Sequence, residues 1–136
     1  MLSPTLTTIR LFLHVVAASV WVGGQIVLAG LVPGLRRSFP EVTTVVANRF
    51  ARIAWPAFAA IVVTGLWNLT EIDVSNTTTS YQITLFVKIT LAIVSGAAAA
   101  VHQVGTSKVA LAAGGALGLV AGLGAMFCGY LLATGS

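Results

Sequence analysis

The sequence predicts an all-α integral membrane protein whose four helices cross the bilayer up-down-up-down as one bundle. Three observations predict it. Apolar residues make up 57% of the chain and charged residues 7%, with a mean hydropathy of +1.00. A soluble domain carries about a quarter charged residues. Stretches free of Asp, Glu, Lys and Arg run from Leu11 to Leu35, Ile53 to Thr70, Ile89 to Ser107 and Val109 to Ser136. Each reaches or nearly reaches the roughly 20 residues that span the hydrocarbon. Finally, a length of 136 residues leaves room for four spans and short connections.

The helices are expected at about 8–33, 47–69, 81–104 and 109–133, in a single domain over 1–136. Pro33-Gly34 is expected to end the first, and Pro56 to bend the second near its start. Polar residues 76–80 form a loop and Gly105 to Ser107 a short turn. The first span is apolar for 25 residues after a single arginine, longer than the roughly 7–15 residues of a signal-peptide core, so it reads as a retained helix.

Orientation follows from the basic residues. The first connection and its flanks hold Arg36, Arg37, Arg49 and Arg52, and the third holds Lys108; the second holds only Glu71 and Asp73. The positive-inside rule puts the first and third connections in the cytoplasm and both termini outside, in a multi-pass protein of the cell membrane, such as a bacterial inner membrane.

Several function classes drop out. The net charge of +4 comes from scattered residues with no dense basic patch, so no nucleic-acid partner is expected. One cysteine excludes an intrachain disulfide and a CxxC-type metal site. The three acids, Glu41, Glu71 and Asp73, are all expected in connections, and neither paired carboxylates, a serine–histidine–acid set nor a phosphate loop is present.

What stands out is His14 and Lys88, each one to two turns inside an expected span. Ionisable groups in hydrocarbon cost a few kcal/mol or more and usually face a bundle interior, a ligand or a water cavity. A lysine that snorkels to the headgroups and a histidine satisfied by a backbone carbonyl are the plainer alternatives. Both lie six or seven residues from the same face, about 9–10 Å deep. The tetrads Leu-Phe-x-His and Leu-Phe-x-Lys that end on them hint at a duplicated helical hairpin. An outer-leaflet pocket is expected, lined by His14, Lys88, Asn68 and part of helix four. His14, Ala18, Trp21 and Gln25 share one face of helix one; Lys88, Ser95 and His102 recur every seven residues in helix three. Gly114, Gly118 and Gly122 form two GxxxG steps, for contact within the bundle or a homodimer seam, and Met126 and Tyr130 are expected to continue that face.

Taken in order, these segments resemble a known family. His14 with Val20-Trp21-Val22-Gly23-Gly24, then Arg49-Phe50-Ala51-Arg52, Val63-Thr64-Gly65-Leu66-Trp67-Asn68, Leu85-Phe86-Val87-Lys88 and His102 are similar to the copper resistance protein D membrane domain. The likeness covers helices one to three, roughly 11–103, and helix four adds little beyond glycine. The chain also resembles HemJ-type protoporphyrinogen oxidases, small haem-b membrane proteins. Those resemblances imply His14 as an axial haem ligand and Lys88 as its functional partner. The chain lacks the Met- or His-rich tracts that a copper carrier would favour.

Three functions stay open. The first is a haem-b oxidoreductase acting on a diatomic gas or passing electrons. There His14 binds iron, Lys88 is catalytic and supplies charge to a propionate or bound anion, Trp21 forms a wall, and Asn68 or Tyr130 donates a distal hydrogen bond. A single-histidine site is favoured, because His14 and His102 differ in level by about 20 Å under the expected topology. The second is a copper-handling permease with His14, His102 and Met126 as ligands along a path. The third is a noncatalytic membrane subunit.

Overall fold

The computed structural model describes residues 1–135. It is all-helical, and among the described residues there is no strand. The elements are α1 (Leu6–Ser38), α2 (Pro40–Thr70), a short 3-10 turn (Val74–Asn76), α3 (Thr79–Val104) and α4 (Lys108–Thr134). The four α-helices are each long and apolar enough to cross a membrane.

Local chemistry sets the boundaries. Thr5 and Thr8 form a reciprocal capping box at the start of α1. Thr78 accepts from the Tyr81 amide at 3.2 Å and Ser107 from the Ala110 amide at 3.0 Å, starting α3 and α4. Gly135, at φ +67°, closes α4 in the left-handed conformation that glycine adopts without steric cost.

The first connection differs from expectation. Pro33-Gly34 does not stop α1, which runs on to Ser38, and α2 starts at Pro40, seven residues earlier than the expected 47. A proline inside a helix removes one backbone hydrogen bond, and Leu35, Arg36 and Arg37 behind it are good helix formers. The break falls at Phe39, with φ −142° and ψ 69°, because the residue before a proline is pushed out of the helical region. Pro40 at the first position and Glu41 in the first turn then suit a helix start. Glu41, expected in a connection, therefore lies in the first turn of α2.

The chain divides into two compact units, Met1–Ile72 and the remainder from Asp73. Each is an antiparallel helical hairpin. In the first, Gly24 meets Phe50, Trp21 meets Trp55, and Arg10 meets Glu71. In the second, His102 meets Leu111, Ser95 meets Gly118, and Leu91 meets Gly124. Leucine, valine and phenylalanine side chains such as Phe12, Val63, Phe86 and Phe127 point outward, as lipid-facing positions do.

Candidate functional site

In the first hairpin a polar ladder runs along the seam. His14 Nδ1 lies 2.7 Å from Thr64 Oγ1, which is also 2.6 Å from the carbonyl oxygen of Ala60. A carbonyl only accepts, so the single hydroxyl proton of Thr64 goes to Ala60, the i−4 bond that threonine commonly makes inside helices. Thr64 Oγ1 is then the acceptor, and His14 Nδ1–H the donor. The lone pair of the neutral ring sits on Nε2. The ring lies over Gly65, where an added Cβ would stand 3.5 Å from His14 Cε1.

Two turns deeper, Trp21 is 4% exposed and packs on Trp55 (centroids 5.3 Å apart) and Phe58 (4.6 Å). Another turn along, Gln25 has a buried Nε2 with no hydrogen-bond partner. One turn before His14, toward the N-terminus, Arg10 is 8% exposed. Its Nη1 is 3.8 Å from Glu71 Oε2, its Cζ is 5.8 Å from the Trp67 ring, and its Nε has no partner. Asn68 Oδ1 is likewise buried without a partner. A buried guanidinium needs compensation, and a half-exposed glutamate at this distance with an aromatic face supplies part of it.

The second hairpin turns the seven-residue stripe of α3 toward α4. Lys88 Nζ lies against Gly129, where an added Cβ would stand 3.2 Å away. Ser95, 1% exposed, donates to the Gly118 carbonyl at 2.7 Å. His102 is exposed, with Nδ1 2.5 Å from the Leu111 carbonyl oxygen, so this ring too carries its proton on Nδ1. Gly114, Gly118 and Gly122 are buried, and a Cβ at Gly114 would stand 2.8 Å from the backbone of Ala98 and His102. Of the two uses expected for the glycine steps, contact with the neighbouring helix is the one these distances show.

The buried face of α4 does not continue to Met126 and Tyr130, which are 37% and 72% exposed. It passes through Ala121 and Gly122 to Cys128. Each step of four residues turns about 40° beyond a full circle, so a series counted strictly in fours leaves the seam by its end.

His14, Trp21 and Asn68 thus belong to the first unit, and Lys88, His102, Met126 and Tyr130 to the second. Among the described residues no three of His, Cys, Asp and Glu come together as a cage for a metal ion. Sequence reasoning missed two features: Thr64 as the partner that sets the His14 tautomer, and Arg10 with Glu71 at the end of the seam. A lone hydroxyl in Ile61-Val62-Val63-Thr64 and an arginine four residues before His14 were the available signals.

Comparison with curated proteins and with solved structures yields no match. A family model described as copper resistance protein D matches residues 44–133. That segment takes in α4, which the sequence resemblance had set aside, and begins after His14. It covers well over half of the chain, two long hydrophobic helices and the greater part of a third, with His102 and Lys88 inside it. This multi-pass membrane protein belongs to the copper resistance protein D family.

Proposed function

We propose that the chain handles copper in the cell membrane, of the bacterial inner-membrane kind, and that His14 is an imidazole ligand on the path. The family match over residues 44–133 carries this reading. His14 precedes the matched segment, so its assignment rests on geometry: the Thr64 hydroxyl orients the ring and leaves the lone pair on Nε2. Ligating histidines commonly donate their other ring N–H in this way. His102 and Met126, with Cys128, complete the soft-to-borderline donors that suit copper. Titration of the detergent-purified chain with Cu(I) tests it. Retention of copper that falls about tenfold or more in His14→Ala is expected. A wild-type chain that retains no copper overturns it.

One observation favours a second reading, haem b. Among the described residues no three of His, Cys, Asp and Glu come together, and a haem would ask only one ligand of the protein. A haem would supply redox and diatomic-gas chemistry when bound. His14 would hold the iron and Trp21 would form a wall beside it. Asn68, whose side-chain oxygen is buried without a partner, would offer a polar contact in the same hairpin. A Soret band in the purified protein that vanishes in His14→Ala selects this reading over copper. A colourless, copper-free protein that co-purifies with another membrane protein selects the noncatalytic subunit.

A further inference from the structure

The α3–α4 hairpin carries a groove of 340 Å³ beside its turn, lined among others by Ala98, Val101, Val109, Ala113, Gly114 and Leu117. The lining offers one side-chain polar group, the Ser107 hydroxyl, and that caps α4 through the Ala110 amide. Val101, Val109 and Leu117 are exposed along it, so the groove opens outward from a membrane-spanning helix pair. A cation stands beside the lining in the chain. Lys108 stands at the first position of α4, between two lining residues, and no acid occurs after Asp73 in the sequence. Among the described residues the one ion pair is that of Arg10 with Glu71, so Lys108 has no acidic partner.

We propose that this groove holds one acyl chain of an anionic phospholipid whose phosphate lies against Lys108. The apolar walls suit the hydrocarbon, and the cation at the span's end, with the N-terminal dipole of α4, complements the head. A second copy of the chain fits less well. A two-fold contact would set the two Lys108 side chains near each other.

Native mass spectrometry of the full chain, offered phosphatidylglycerol and phosphatidylcholine in equal amounts, tests this. About fivefold preference for phosphatidylglycerol is expected, from one basic residue near a phosphate. Lys108→Gln abolishes the preference and Lys108→Arg keeps it. Ala113→Leu fills the groove and lowers retention of both lipids, with helicity by circular dichroism as the check on folding. Equal retention by the wild type, or a preference that survives in Lys108→Gln, overturns the proposal. So does cross-linking of Ala113→Cys between copies in place of lipid retention.

Discussion

The hydroxyl proton of Thr64 is committed to Ala60, so this one side chain dictates which nitrogen of His14 presents a lone pair. Thr64→Val keeps the shape and removes the acceptor; Thr64→Ser restores it. Loss of such a supporting partner weakens metal binding about 10- to 100-fold. Equilibrium dialysis of the two variants, against the metal that wild type retains, is expected to show that loss in the valine variant alone; equal affinities would sever Thr64 from the site. A second residue-scale prediction concerns Asp73, where Ser75 and Asn76 donate to the two carboxylate oxygens. These hydrogen bonds, Ser75 foremost, hold the carboxyl below its ordinary 3.8. A depressed folded value means the turn's stabilisation is complete above that range and is lost as pH falls through the folded value. Nuclear magnetic resonance shifts of Ser75 and Asn76 should therefore titrate with a midpoint below 3.8, and not at all in Asp73→Asn. A midpoint at or above the ordinary value would show that these two hydrogen bonds do not hold the carboxylate. His14 could be singled out in the sequence because an ionisable group in an apolar run has few cheap explanations. Its partner was not: a threonine fifty residues away is related to it only by how two helices pair.

Helix existence was legible and helix ends less so, for a physical reason. Hydrophobic length marks a span, but the start and stop depend on single residues that a composition count passes over. Pro33 and Pro40 look alike as breakers; only the second has a residue forced out of helical geometry in front of it, Phe39. The glycines of α4 show the same limit. Their spacing announced close packing, and the structure uses Gly114 against α3, while Gly30 in α1 has nothing within 4 Å of an added Cβ. Gly114→Ala would press a methyl group onto backbone that cannot swing aside. A loss of about 1–3 kcal/mol is expected in detergent unfolding, the usual range for overpacking. Gly30→Ala is expected to be neutral or slightly stabilising, since alanine favours helix. If both alanines behaved alike, the α3–α4 seam would not be as close as these distances make it.

At the scale of the whole molecule, the long first hairpin gives charge placement its meaning. The 33 residues of α1 extend about 50 Å against a hydrocarbon core of about 30 Å, so its far end stands clear of the membrane. Arg36 and Arg37 end α1, and Arg49 and Arg52 lie in the first half of α2, so four cations gather at one end of the hairpin. Arg10, at the opposite end, would count against this asymmetry if it were a free charge. It is not: the guanidinium is 8% exposed and paired with Glu71 over Trp67. The exposed charge of the first unit is therefore basic at the Phe39 end, and the connection after Thr70 offers Asp73 to solvent. Insertion with the Phe39 end of the first hairpin in the cytoplasm is the expected outcome. Single cysteines placed in a Cys128→Ser background and labelled on intact cells with an impermeant maleimide check this. Thr77→Cys is expected to react from outside and Phe39→Cys only after the membrane is opened. Reversing Arg36 and Arg37 to glutamate should yield a mixed population, because it removes two of the four cations at that end. Labelling of Phe39→Cys from outside in otherwise unmodified cells would overturn the orientation expected of the first hairpin.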